Sequence, residues 1–453
     1  MEQSFTFILL MLGYLICELI LNKKEEIKPL IFTNRVKRQL LVMILLLLIL
    51  YFLVISNSIK YNFLLFFIAL LPFYLIYLVG LITMPIEMMF HDNFKNKAAG
   101  QLFNNKNLIR VGITGSFGKT STKNIINEVL SSKYYCLMTP ASFNTPMGIA
   151  RTINDSLKPI HQVFICEMGA DKVGDISELM DFVKPQYGIV SAIGPQHLAT
   201  FNNIENIIKE KMEMIEKLPA EGIGIINYDN QYIRDYHINN SCKIYTYGIE
   251  YAKVDFFAKD ITYNAEGSSF VVVYDNCEYQ FTTKLLGLHN ILNILSSIAL
   301  ASSLGIDFAD IIKAISNVQQ VAHRLEVKPY LNFTMIDDSF NANPIGANMA
   351  VDVLAMMANQ RVLITCGMIE LGSQQKDINF AFGQYIVGKA DLIFLVGEIQ
   401  SAPIKEGLLS AGCPKEIIRT FASTKQAMLA LPTLAEANAT FLVVNDLPDA
   451  FNH

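Results

Sequence analysis

The chain has 453 residues, of which 52% are hydrophobic and 17% charged, fewer charges than the roughly 25% of ordinary soluble domains. Two or three domains are expected, part of the chain in lipid. The net charge of -5 offers no basic surface and excludes the usual electrostatic signature of a nucleic-acid partner.

Three apolar runs come first, at about Phe5 to Leu21, Leu40 to Ile55 and Phe63 to Met84. Each approaches the roughly 20 residues a helix needs to cross a bilayer, so a three-helix membrane anchor is predicted over residues 1–88. The first run has no positive charge before it and no small-residue cleavage site after it, which argues against a signal peptide. The loop 22–38 holds six basic residues, Lys23, Lys24, Lys28, Arg35, Lys37 and Arg38, whereas the loop 56–62 holds only Lys60. This bias places the first loop, and everything after the third helix, in the cytoplasm. The protein is therefore expected at the plasma membrane as a multi-pass protein with a cytoplasmic body. A linker at 85–103 is expected to be an interfacial amphipathic helix. The seven cysteines form no C-x-x-C pair, which fits reduced thiols in that compartment.

The next stretch, LIRVGITGSFGKTSTKNIINEVL at 108–130, reads as strand, glycine loop and helix. Glycines let backbone N–H groups approach phosphate, the helix N-terminus adds its dipole, Lys119 can reach terminal phosphates and Thr120 can hold Mg2+. The strict G-x-x-x-x-G-K-[ST] pattern is shifted, since Ile113 stands at its first glycine. TGSFGKTST is similar to the T-G-[TS]-x-G-K-[TS] loop of the Mur ligases, which carry the same shift. The resemblance implies an ADP-forming acid–amino-acid ligase: ATP phosphorylates a carboxylate and an amine displaces the phosphate. It also implies nucleotide contacts from Thr114, Gly115, Ser116, Gly118, Lys119, Thr120 and Ser121.

The likeness continues in order along the chain. VFICEMGA (163–170) resembles the strand that ends in the family's Mg2+-binding glutamate, here Glu167. In SAIGPQHLATFNNIENIIKEKMEMI (191–215), His197 matches the metal-linked histidine. Lys211, fourteen residues on, matches a carbamylated lysine that holds a second Mg2+. SFNTPMGIARTI (142–153) resembles the loop that places Asn144 and Thr145 near acceptor or metal. In LGLHNILNILSSIALASSLG (286–305), Asn290 and Asn293 match a nucleotide-site pair on one helix face, and Asn290 can also cap the helix. Residues 225–285 read as a β insertion without assigned chemistry.

HRLE (323–326) resembles the start of the family's last domain, with Arg324 matching a phosphate-contacting arginine. TMIDDSFNANP (334–344) is close to the D-D-S-Y-N-A-N-P signature of the D-alanyl-D-alanine-adding branch, with Phe340 for tyrosine, and implies that Asp338 contacts the nucleotide. RVLITCGMIELG (361–372) is similar to that branch's V-L-G-D-M-x-E-L-G, but Gly367 replaces aspartate and Asn379 stands where histidine is common. These departures put the donor's identity in doubt. The implied fold is α/β: a P-loop-type ATP-binding domain with a mostly parallel sheet at 89–320 and a Rossmann-like domain at 321–453.

The resemblance covers about 105–453 and leaves no room for the family's UDP-gripping N-terminal domain. The carboxylate acceptor is therefore expected at the bilayer, as a lipid-linked cell-wall precursor or a growing polyanionic peptide. The donor is an amino acid or dipeptide. Competing functions are a poly-γ-glutamate synthase, an amidating enzyme, against which the missing zinc ribbon argues, and a nucleotide-binding membrane regulator without ligase chemistry.

Overall fold

A computed structural model describes residues 32–56, 72–196, 198–264, 267–320, 323–339, 344–369, 371–399 and 401–446. Contacts divide the chain into two compact units, the second beginning at Phe90. In the first unit, helix α1 (Asn34–Ser56) carries the second apolar run, with Leu41, Leu45, Leu48 and Phe52 exposed. Helix α2 (Pro72–Asn104) carries the end of the third. Arg38, from the basic stretch, donates to both carboxylate oxygens of Glu87, at 2.7 and 2.6 Å. Among the described residues, one helix, Leu75–Asn104, is long and apolar enough to cross a membrane. The first apolar run, residues 22–31 of the basic loop and residues 57–71 lie outside the described residues.

The described end of the third run, from Pro72, and the linker are one continuous helix that passes through Pro85, although proline removes a helical hydrogen bond. The later part of this helix packs one face on protein, while Met88, Met89 and Phe90 before it are exposed. Ala98 and Leu102, four residues apart on one face, are wholly buried in the core of the second unit, and Lys95 pairs with Glu178 at 2.6 Å. Burial of that apolar stripe against protein outweighs its expected surface position.

The second unit opens with β1 (Ile109–Thr114), α3 (Lys119–Leu130), β2 (Cys136–Met138), α4 (Pro146–Ser156), β3 (Val163–Glu167), α5 (Asp175–Val183) and β4 (Tyr187–Val190). Next come α6 (Leu198–Phe201), α7 (Ile204–Glu216), β5 (Ile223–Asn227), α8 (Gln231–Arg234) and β6 (Lys243–Gly248). β7 (Phe256–Asn264), β8 (Gly267–Tyr274), β9 (Cys277–Thr283), α9 (Leu288–Ser303) and α10 (Phe308–Asn317) complete this part. The strands form one sheet in the order β2-β3-β1-β4-β5-β6-β7-β8-β9, parallel as far as β7 and antiparallel beyond it. Residues 225–285 thus extend the sheet rather than insert into it.

Successive residues of β3 face opposite sides, as strand geometry requires. Val163 and Ile165 join a core built with α3, α9 and α10, while Phe164 and Cys166 join one built with α4, α5 and α7. Both faces are covered, which is why the parallel strands read as continuous apolar runs.

A second sheet is built from β10 (Glu326–Tyr330), β11 (Phe333–Asp338), α11 (Pro344–Ala355), β12 (Arg361–Thr365) and α12 (Gln375–Ile386). It continues with β13 (Leu392–Val396), α13 (Ser401–Ser410), β14 (Ile418–Phe421), α14 (Thr424–Leu434) and β15 (Thr440–Val444). Its order is β10-β11-β15-β12-β13-β14, parallel except for β10. Ligands of such sheets bind beyond the carboxyl ends of the strands, and that is where the expected site residues lie in both sheets.

Candidate functional site

The glycine loop joins β1 to α3. Ile113 is completely buried in the sheet core, so a strand residue occupies the first glycine position of the common motif, and the turn begins later. Gly115, at φ 150°, lies where a side chain would collide with the Ser191 hydroxyl. Gly118, at φ 82°, caps α3 in the left-handed region, where glycine pays no steric penalty. Ser191 donates to the Phe117 carbonyl at 2.6 Å. The Ser116 hydroxyl donates to Gly194 O at 3.0 Å. The Thr114 hydroxyl is spent on Met168 O at 3.0 Å in a fully buried position. That bond ties the end of β1 to the residue after β3, so the hydroxyl expected at the nucleotide is engaged within the protein.

Lys119 turns back over the loop and donates to Gly115 O at 2.6 Å and Ser116 O at 3.3 Å. Burial pushes its pKa down; Glu167 opposes the shift and Arg324 adds to it. Thr120, one residue on, donates to the Glu167 carboxylate at 3.0 and 3.2 Å. Glu167 ends β3 with its side chain 2% exposed. Lys123, which the sequence reading passed over, sits 2.9 Å from the same carboxylate and is 1% exposed. Its signal was present: it follows Lys119 by one helical turn and shares its face. Asn144 reaches Glu167 Oε1 at 3.5 Å, whereas Thr145 caps α4 by accepting from Gly148 N–H at 3.3 Å.

Lys211, on α7, is buried. Among the described residues it has one long hydrogen bond, 3.5 Å to Ala170 O. Burial, and then Lys119, push its pKa down to about 7; Glu210, Asp171 and Asp175 oppose this. The adjacent Glu210 accepts from Gly174 and Ile176 N–H at 2.7 and 2.6 Å, which holds the start of α5 beside Lys211. His197 lies outside the described residues.

On α9, Asn293 Oδ1 accepts from Thr122 at 3.1 Å and Asn290 donates to Leu286 O at 2.8 Å. The helix is capped by Gly287 at φ 89°, so the expected capping role of Asn290 is not the observed one. His289, also passed over, is held neutral by burial, with a pKa lowered to about 4.

A pocket between the two sheets is lined by Phe117, Gly118, Ser121, Ser191, Asn227, His289 and Asn293 from the first. Arg324, Leu325, Asp338, Gly346 and Met349 line it from the second. Burial raises Asp338 to about 6 while Arg324 opposes the rise, and burial lowers Arg324 while Asp338 and Glu167 oppose it. Phe340 to Asn343 lie outside the described residues.

The departures in the second sheet are structural. Asn379 accepts from Met368 N–H and donates to Met368 O, both at 2.9 Å. Asn445, in the left-handed region at φ 60°, donates to Gly367 O at 2.7 Å. Among the described residues one other group, His323, Glu326 and Asp337, has metal-ligand geometry. Lys328 already pairs with both of its carboxylates, at 3.2 and 2.6 Å.

A family model described as the Mur ligase middle domain matches residues 113–301, and one described as the Mur ligase glutamate ligase domain matches 323–445. UDP-N-acetylmuramoyl-tripeptide--D-alanyl-D-alanine ligase of Escherichia coli (strain K12) is 31% identical over 276 residues, 60% of this chain and 61% of that protein. The protein of the same name from Bacillus subtilis (strain 168) is 29% identical over 303 residues, 66% and 65% respectively. The chain thus spans less than two thirds of the length of these relatives. Among solved structures, MurF from Acinetobacter baumannii matches with TM-score 0.72 and 23% identity over 79% of this chain and 77% of that one. MurF ligase from Thermotoga maritima in complex with ADP matches at 0.71 and 23% over 80% and 81%. These two likenesses concern the fold.

Proposed function

The chain belongs to the Mur ligase family, and from this premise we propose that it is an ATP-dependent amide-bond ligase of cell-wall peptide synthesis. One observation carries the reading. Arg324 and Asp338, from one sheet, line a pocket with Gly118, Ser121 and Asn293 from the other, and Arg324 acts electrostatically on Lys119 and on Glu167, the carboxylate that accepts from Thr120. Such a site brings two anions together, a nucleotide phosphate and a carboxylate.

Lys119 would exchange the loop carbonyls for terminal phosphate oxygens, and Arg324 would neutralise charge from the other side. A carboxylate oxygen attacks the terminal phosphorus and ADP leaves. An amine then attacks the acyl carbon, the C–O bond to phosphate breaks, and the amine gives up a proton as phosphate departs. Enclosure between two sheets protects the acyl phosphate from water. The Thr120 hydroxyl and Glu167 carboxylate are hard oxygen donors within 3.2 Å of each other, a set that fits Mg2+. When bound, the ion would screen the meeting anions. Lys211 fits a carbamate site: it is buried, has one long hydrogen bond among the described residues, and burial lowers its pKa toward the neutral amine that reacts with CO2.

The finer reading is a D-alanyl-D-alanine-type donor and an acceptor held at the cytoplasmic face of the plasma membrane by an anchor at 1–88. The names of the curated relatives support the donor. The apolar helix Leu75–Asn104 and the basic bias of 22–38 support the anchor. Tethering would raise the effective concentration of a lipid-linked acceptor.

The test supplies detergent-purified protein with Mg-ATP, D-alanyl-D-alanine and either UDP-linked tripeptide or a bacterial lipid extract, with mass spectrometry of products. Dipeptide found on a lipid-linked acceptor alone supports the full reading. Equal turnover of the soluble substrate removes the lipid-held acceptor. Glutamate chains formed when glutamate is fed would replace the donor assignment, and nucleotide binding without amine-dependent phosphate release would remove the ligase.

A further inference from the structure

We propose that Lys123 is a built-in counter-cation that closes the Glu167 carboxylate to free divalent metal, so that metal enters only together with the nucleotide. The proposal rests on the reading of Glu167 as a metal carboxylate.

Lys123 donates to Glu167 Oε2 at 2.9 Å and also to the Ala141 carbonyl. Ala141 is a non-glycine residue at φ 43°, in the loop that carries Asn144. One ammonium therefore pins both the carboxylate and this loop. With lysine and glutamate side chains 1% and 2% exposed, water screens the pair poorly, and two charges a few ångströms apart interact strongly. Among the described residues Oε1 keeps the Thr120 hydroxyl at 3.2 Å and the Asn144 amide at 3.5 Å, which leaves it as the oxygen a metal would use.

The surrounding charges make this pinning decisive. Lys119 and Arg324 act on the same carboxylate. With Lys123 they set three cations around Glu167, while Asp171 and Asp338 act on Lys119 and Arg324, so a bare dication arriving alone at that carboxylate meets positive charge already in place. A polyphosphate brings the missing negative charge with it. Without Lys123 the carboxylate would lose its one direct ion pair among the described residues, and a free metal could take that place. Lys123 is thus a positioning residue that acts through Glu167.

The test is Mn2+ binding, followed by the paramagnetic resonance signal of the free ion, to the full chain in detergent. The wild-type protein is expected to bind Mn2+ with a non-hydrolysable ATP analogue and to bind it more than about ten-fold more weakly without. Lys123→Met should strengthen nucleotide-free binding by about ten-fold or more, Lys123→Arg should not, and Glu167→Gln added to Lys123→Met should abolish the gain. Equal wild-type affinity with and without nucleotide overturns the proposal, and this comparison needs no variant to fold. So does a folded Lys123→Met protein that gains nothing. Failure of the ligase reading shows elsewhere, as phosphate release that ignores acceptor and amine.

Discussion

The carboxyl ends of the two sheets are built alike and used differently. In the first, a strand end and the helices beside it gather ionisable groups: Glu167 ends β3, Lys119 and Lys123 lie on α3 and Lys211 on α7, most of them buried. In the second, the loops after β12 and β15 are held by neutral amides, Asn379 on Met368 and Asn445 on Gly367, and the charge offered to the pocket comes from Arg324 and Asp338. On the proposed reading, the first sheet holds the groups that would handle phosphate and metal, and the second would shape the approach to them. Sheet architecture is shared because burial of both faces demands it; the chemistry is set by which loops can bear the cost of buried charge.

The largest expected effect belongs to the first sheet. Lys119→Ala should lower acceptor-dependent phosphate release by about 100- to 1000-fold, on the scale of losing one preorganised charge donor, with the melting temperature little changed. A loss under about ten-fold would break the division of labour. Next comes Lys211. Its pKa lies below that of the unfolded chain, so folding favours loss of its proton between about 7 and the ordinary lysine value near 10.4. Stability from this group therefore rises with pH across that window and is least below it. Activity should climb through about pH 7 and be stimulated by bicarbonate. Lys211→Arg should lose about 100-fold together with the bicarbonate effect, and bicarbonate stimulation that persisted in the variant would contradict the assignment.

Arg324→Lys sharpens the comparison from the other side. It keeps the charge and loses the planar fork, so the nucleotide KM should rise about ten-fold with a smaller change in kcat. A pure kcat effect would move Arg324 into the chemistry of the first sheet. Smallest in catalytic effect, Asn379→Ala strands the Met368 backbone groups. It should cost about 1–3 kcal/mol of stability, read by denaturant titration, and leave the nucleotide KM unchanged.

Much of this was legible in the sequence, because loops carry their chemistry in local patterns. The strand–glycine–helix run pointed to Lys119 and Thr120, and the order of the later motifs pointed to Glu167, Lys211, Asn293, Arg324 and Asp338, of which the structure brings Asn293, Arg324 and Asp338 to one pocket. What escaped depends on contacts across the chain. Lys123 looks like one more solvated lysine until the sheet brings Glu167, 44 residues away in sequence, against it. Thr114 looked available to nucleotide until its hydroxyl was found on Met168. The linker at 85–103 read as interfacial because periodicity marks an apolar stripe without saying what covers it.

The most direct test of the central claim is phosphate release by the purified full chain with Mg-ATP, comparing amine alone, acceptor alone and both together. Release that requires both, and that Arg324→Lys weakens through the nucleotide KM, is the predicted result. Release independent of amine and acceptor, or none from folded, nucleotide-binding protein offered both, would contradict the account.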